Sequence, residues 1–275
     1  MERFAAVVQA SLIQWETASR SGLFQSLDSR VKILFLVFFV VIISLKKTLY
    51  GELLIAFLVF LLTALSKLPL AAHYGRIAVL GFFFGFLIAL PAALNIFTPG
   101  EVVVTLMRFS GPRDLWIYHV PQVVGLTKEG LTTVAMLTMR VLNSLAVSLL
   151  VISTTPFTEV VRSLKVFRVP DLFIMTLTLA YKYIFIFAQT AHDMHLAKKA
   201  RLLGRESEAE SRRWVAGRMA FLFRKSQHRC EEVFKAMQER GFSGTIKICR
   251  FGAPAARDFI MALLLSAAGV VILLV

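Results

Sequence analysis

Two stretches, "ILFLVFFVVIISL" and "VLGFFFGFLIALPAAL", are apolar on every side, so neither has a face to present to water. A soluble core has no use for helices without a polar side. The chain is 57% hydrophobic with a mean hydropathy of +0.71, above the apolar share of soluble domains, and the bilayer is its expected solvent. The expected fold is an all-α integral membrane protein with about five spans, at 31–45, 51–66, 77–97, 131–153 and 257–275. The first is short for a hydrocarbon core of ~30 Å, and flanking Arg30, Lys32, Lys46 and Lys47 are expected to snorkel. Pro91 is expected to kink the third.

Charge sets the expected sides. Residues 154–257 hold 19 of the 31 Lys and Arg against nine Asp and Glu. Beside membrane spans such a block marks the cytoplasmic face, and no recognisable binding module accompanies it that would make it a nucleic-acid surface. Arg3, Arg20, Arg30 and Lys32 put the N-terminus inside, so four spans return the chain inside near residue 154. The stretch 172–191 is apolar enough to cross despite Lys182, but crossing would place the 15 Lys and Arg of 198–257 outside. It is therefore expected to lie at the inner surface. The resulting plan is an interfacial segment at 1–30, a transmembrane domain at 31–153, a cytoplasmic helical domain at 154–256 and a last span at 257–275. Between spans three and four, 98–130 is expected outside, with "EVVVTLMRF" and "DLWIYHV" forming a hairpin around "SGPR". Cys230 and Cys249 are expected to be free thiols.

The cytoplasmic segment reads as helices. Thr155 is expected to cap a helix starting at Pro156 and ending at Pro170; the next runs from about 171 through "HDMHLAKKARLLG", and another from about 211 to "AMQERG". Thirty helical residues span ~45 Å, which suits a rigid lever. Both long helices are expected to end alike. Leu196, Ala200 and Leu203 precede Gly204, with Arg201 about a turn from the end; Val233, Phe234 and Met237 precede Arg240 and Gly241, with Glu231 four residues from Lys235. C-capping accounts for each arginine alone. Two arginine-tipped helices 39 residues apart also fit a subunit that engages two copies of a soluble partner, because the guanidinium fork stays charged.

The strings "KARL" and "AMQERGFSG", with "LDSRVK" and "TTPFTEVVRSL…VP…LAYKYIF", resemble the transmembrane T component of energy-coupling-factor transporters, most closely the cobalt-type CbiQ group. The resemblance covers nearly the whole chain. It implies two coupling helices crossing as an X, each docking an X-Arg-X motif into one ATPase subunit. Carried over, the motifs are Ala200-Arg201-Leu202 and Glu239-Arg240-Gly241, where the family commonly has Ala-Arg-Gly or Ala-Arg-Ser; Arg205 competes with Arg201 for the first role. Lys182, between Tyr181 and Tyr183, stands where the family often has arginine. The implied partners are two ATPase subunits, a substrate-binding membrane subunit and membrane lipid, in the bacterial cell membrane, for uptake of cobalt or nickel. No cofactor is implied.

Other residues carry competing readings. His192 and His195 share a helical face beside Asp193, but a metal would need a third and fourth ligand nearby, and an exposed polar helical face is the preferred reading. A membrane-bound enzyme using them is the alternative from a different class, and the permease of a conventional ABC importer is a third. Arg140 falls near the middle of the fourth span, where it is either structural, bonded to helix-breaking backbone or Asn95, or at a subunit contact. No acidic residue lies at the centre of another span to pair with it. Asp28 is expected to cap the first span's helix. No phosphate loop and no nucleophile motif occurs, so energy is expected from a partner.

Overall fold

A computed structural model describes residues 22–95, 98, 100–108, 113–115, 118–120, 123–202, 204, 207–242 and 256–274. The interfacial reading of the N-terminus therefore falls mostly outside the described residues, as do Cys249, Leu203 and Arg205. The chain divides into two compact units, one holding the described residues up to 157 together with 256–274, the other holding 158–242.

In the first unit α1 (Ser29–Leu45), α2 (Leu49–Leu65), α3 (Leu70–Gly81), α4 (Lys128–Thr154) and α8 (Ala256–Leu274) correspond to the five expected spans. Asp28 caps α1 by accepting the Arg30 amide at 3.0 Å, as its position before the apolar run predicts. The core is centred on α4, which packs against α1, α2 and α3, while α8 packs mainly on α1. Phe39, Ile55, Val59, Val147 and Leu150 are fully buried at its centre. Outward faces such as Phe57, Phe84 and Leu274 are left bare, as in a protein solvated by lipid. Leu70–Leu87, α4, α8 and the Asp171–Arg201 helix of the second unit are each long and apolar enough to cross a membrane; α2, at 17 residues, is a shorter apolar helix. The protein is an all-α membrane protein.

The third span departs from expectation. It starts at Leu70, seven residues early, widens into a π-helical segment at Phe82–Leu87 and tightens into a 3-10 turn at Leu90–Ala93. Pro91 thus sits in the closing turn and does not kink a continuing helix, because its missing N–H costs little where the ladder is already ending. Widening occurs where Gly85 meets α4: a Cβ there would stand 3.3 Å from the Thr138 Cα, a tight contact that glycine relieves.

The expected hairpin is also corrected. β1 (Val102–Arg108) pairs antiparallel with β4 (Val123–Thr127), while β2 (Arg113–Leu115) pairs with β3 (Tyr118–Val120) in a separate two-stranded ribbon. "DLWIYHV" folds on itself, and the partner of the first stretch is "VVGLT", whose glycine disguised it. Gly125 faces the Val104 carbonyl so closely that no side chain fits.

In the second unit α5 (Phe157–Ser163) is followed by a 3-10 turn, Leu164–Phe167, that ends at left-handed Arg168 (φ 57°). The helix therefore stops before Pro170, which instead precedes the next one. Thr155 does not cap: it is extended and buried, with its hydroxyl unpartnered. Two long helices follow, α6 (Asp171–Arg201) and α7 (Glu208–Glu239). They run antiparallel, for residues 176–187 of α6 share a groove with residues 226–233 of α7, while His195, nearer the end of α6, has its ring 6.2 Å from that of Trp214 near the start of α7.

Candidate functional site

The α6–α7 hairpin has little interior of its own. No residue of α7 is buried, and in α6 only Ile174 and Ala188 are. Along α7, Trp214, Leu222, Ser226, Val233 and Met237 are half-buried at helical spacing and mark the face toward α6. Val215, Met219, Phe223 and Phe234 face away and are exposed, as are Leu172, Phe173 and Ile184 on α6. Between the helices runs a mostly apolar groove of about 370 Å³ lined by Leu179, Tyr183 and Phe187 opposite Cys230 and Val233. Tyr181 and Tyr183 rest on Phe185 and Phe187, one turn ahead, leaving Lys182 exposed.

The start of α7 is built by a capping box. Ser207 accepts the Glu210 amide through its hydroxyl, and the Glu210 carboxylate receives the Ser207 backbone N–H at 3.1 Å and its hydroxyl at 3.0 Å. Those two bonds hold the Glu210 carboxyl below the usual glutamate range. The expected start near 211 overlooked the S-x-x-E pattern that announces such a box. Within the helix Glu232 pairs with His228 and Arg229, at 3.3 and 3.7 Å.

The two arginine-bearing ends differ, against expectation. At the α7 end, Phe242 donates its amide to the Met237 carbonyl and Gly241 to Gln238, with Gly241 at φ 81°, forming a complete Schellman motif. Arg240 is the C-cap, and its exposed side chain is displayed by a fixed turn. At the α6 end, Arg201 is the last helical residue and Leu202 is extended, so Gly204, at φ 106°, serves the connection and not the cap. Leu202 cannot extend the helix while directing the chain into α7. Ala200 and Leu196 point outward; Lys198 and Arg201 instead line a recess toward Trp214. Since α6 has 31 residues and the helices are antiparallel, Arg201 and Arg240 stand ~45 Å apart at opposite ends of the hairpin.

His192 and His195 do not converge on further ligands: the His195 ring packs on Trp214, Asp193 accepts from Gln189, and no group of three metal-type side chains occurs among the described residues.

In the membrane unit, Arg140 has partners that the sequence reading missed. It donates to the Lys46 carbonyl just past the end of α1, and its Nε stands 3.6 Å from Glu52 Oε1. Glu52 is fully buried, and Asn143 clamps it by donating to both its carboxylate and its backbone carbonyl at 2.8 Å. Glu52 was passed over because it opens its span. With α4 ten residues longer than α1 and α2, the middle of α4 is level with the ends of its neighbours. Asn95, bonded to Gly125 before α4 begins, lies some ~18 Å along the axis from Arg140, which displaces that alternative.

Lys32 and Lys46 do not snorkel either. Lys32 is 1% exposed and donates to the Thr154 carbonyl at the end of α4 and to Gln25; Lys46 is buried and donates to the Leu273 carbonyl at the end of α8. Helix C-termini leave carbonyls without partners at the negative end of the dipole, and a buried ammonium satisfies both needs.

Comparison with known proteins gives a consistent picture. The family model described as CbiQ, cobalt transport protein, matches residues 21–248. An uncharacterized protein of Methanocaldococcus jannaschii is 30% identical over 227 residues, covering 82% of this chain and 74% of that protein. The cobalt transport protein CbiQ of Rhodobacter capsulatus is 28% identical over 160 residues, covering 57% of this chain and 64% of that protein.

Proposed function

The chain belongs to the CbiQ family of cobalt transport proteins, and on that premise we propose that this multi-pass membrane component is the energy-coupling subunit of an energy-coupling-factor importer. It joins two ATPase subunits to a substrate-binding membrane subunit that carries cobalt or nickel. The chain is not itself an enzyme, and ATP is hydrolysed by its partners.

One observation supports this reading above the others: a 31-residue and a 32-residue helix form a bare hairpin with an arginine at each C-terminal end, ~45 Å apart. A hairpin serving only stability would bury one face of each helix. Here the rods are stiff, the ends are cationic and the flanks are apolar, which suits docking at the ends and gripping along the sides.

The mechanism follows from stiffness. The hairpin lies on the cytoplasmic side with 172–191 at the inner surface, and Arg201 and Arg240 each dock in one ATPase subunit through the motifs Ala200-Arg201-Leu202 and Glu239-Arg240-Gly241. When the ATPases close on nucleotide they move the two ends relative to each other. A helix transmits that displacement along its length, so the apolar flanks at 172–191 and 214–223 tilt the substrate subunit held against them. Arg140, tied to Glu52, keeps the membrane unit rigid as the hairpin moves.

The test is to purify the tagged chain from membranes and reconstitute it. Two ATPase subunits per chain and a small membrane protein should co-purify, and vesicles holding the assembly should accumulate radioactive cobalt only with ATP. Cobalt uptake by the chain alone would contradict the coupling role.

A further inference from the structure

Between α4 and α6 the chain makes a turn whose composition is unusual for a connection. Links between helices are ordinarily polar and rich in Gly, Asn, Asp and Pro. Here the 3-10 turn Leu164–Phe167 presents Val166 and Phe167 side by side, 41% and 45% exposed, with Lys165 before them and Arg168 after. Leu172 and Phe173, in the first turn of α6, are more exposed still. All six side chains lie outside, in the order cation, two apolar groups, cation, two further apolar groups.

The turn is held from within, so this display is not slack. Val161, Ser163 and Ile174 on either side of it are buried, the Arg168 amide donates to the Lys165 carbonyl at 3.1 Å, and the Lys165 ammonium bridges to Asp171 at 3.0 Å. Arg168 has φ 57°, a left-handed conformation that bulky residues seldom adopt and glycine takes freely. A cation at that position costs conformational strain, which points to a use for its charge. Arg162, in the last turn of α5, is also exposed, and among the described residues neither Arg162 nor Arg168 has an ion pair.

Chain length limits what surface this tip can meet. It follows α4 and ends four residues before α6, and both of those helices are long and apolar enough to cross a membrane. Together α5 and the 3-10 turn rise no more than ~19 Å. A tip tethered so closely between two such helices stays near the headgroup layer whether α6 crosses the bilayer or rests on it. Apolar side chains flanked by cations suit that layer: the hydrocarbon enters the acyl boundary while the guanidinium groups stay with phosphate. An apolar protein surface would satisfy Val166 and Phe167 but would bury Arg168 beside them without an anion.

We propose that residues 165–168, with Leu172 and Phe173, form an anchor that seats in the headgroup layer of an anionic bilayer, where Arg162 and Arg168 hold lipid phosphates. The inference needs only the membrane character of the chain, so its failure would leave the coupling role standing.

The test places the full chain in nanodiscs of phosphatidylcholine with or without phosphatidylglycerol, with Cys230→Ser and Cys249→Ser to clear other thiols and Phe167→Cys carrying a nitroxide. With phosphatidylglycerol present, oxygen, which concentrates in the bilayer, should collide with the label more often than a water-soluble nickel chelate does. The oxygen-to-nickel ratio should fall by about fivefold or more in pure phosphatidylcholine, and by as much in Arg162→Glu with Arg168→Glu, whereas the two lysine substitutions keep most of it. Both arginines are exposed, so the melting temperature should not change, and the lipid comparison tests the same point with neither altered. A label met mainly by nickel in the anionic discs would overturn the anchor. An equal ratio in both lipids and in the double glutamate variant would overturn its recognition of anionic lipid. Immersion that appears only when a substrate-binding membrane subunit is added would overturn it in favour of a protein partner.

Discussion

Lys32 in the membrane unit and Arg240 in the hairpin unit are both cations beside helix ends, yet one is 1% exposed and the other faces solvent. In the membrane unit Lys32, Lys46 and Arg140 turn inward and end on backbone carbonyls left over where α4, α8 and α1 stop. In the hairpin unit Lys182, Arg201, Arg218 and Arg240 are left outside. The lesson is that a cation next to a membrane helix has two physical uses. It can satisfy an orphaned helix end that lipid cannot, at the cost of its own hydration, or it can stay hydrated and wait for a partner. Where each choice is made separates the unit whose cations are tied up inside from the unit whose cations stay open to solvent.

That contrast can be broken most sharply at Glu52. Glu52→Ala leaves the Arg140 guanidinium without its counter-charge and Asn143 without its carboxylate acceptor, so thermal unfolding in detergent should show a loss of about 3 kcal/mol. Adding Arg140→Met should restore much of it; a double variant no better than the single would deny that the two act as a pair. Lys32→Met should cost about 2 kcal/mol, since it strips a charged donor from the Thr154 and Gln25 carbonyls. A Lys32→Met protein as stable as wild type would mean that water replaces the ammonium there. Arg240→Glu, on the other side of the comparison, should move stability by no more than about 0.5 kcal/mol, because that side chain is exposed and makes no ion pair among the described residues. A large destabilisation would turn Arg240 into a structural residue.

The smallest effect concerns pH. Glu210 is held below its unfolded value by the Ser207 amide and hydroxyl, so its support for the start of α7 is complete above the unfolded value of about 4.3 and is lost as pH falls through the folded one. In Ser207→Ala the carboxyl, followed by carbon-13 NMR, should titrate closer to 4.3. An unchanged titration would remove the capping box from the account.

Spans and long helices were legible in the sequence because hydropathy and helical spacing are local: all five apolar runs became helices, and α6 and α7 lie where their patterns put them. Asp28 was legible for the same reason, since a cap is read from its neighbours. What escaped were long-range partners. The Lys32–Thr154 bond joins residues 122 apart, Asn143 and Glu52 are 91 apart, and β1 pairs with a strand whose glycine hid it. Flanking lysines read as snorkelling because periodicity cannot say which way a long side chain turns. At the hairpin the two helices were legible, whereas their unequal ends were not: Gly204 and Gly241 look alike in sequence and both take positive φ, and what separates them is the extended Leu202 at one end and the paired Schellman hydrogen bonds at the other.

The most direct measurement is ATPase retention by a chain carrying both Arg201→Glu and Arg240→Glu, purified from membranes under conditions where the wild type brings down its partners. The account predicts a correctly inserted protein of unchanged melting temperature, stripped of ATPase and inactive in cobalt uptake. Wild-type amounts of bound ATPase together with normal uptake would contradict it.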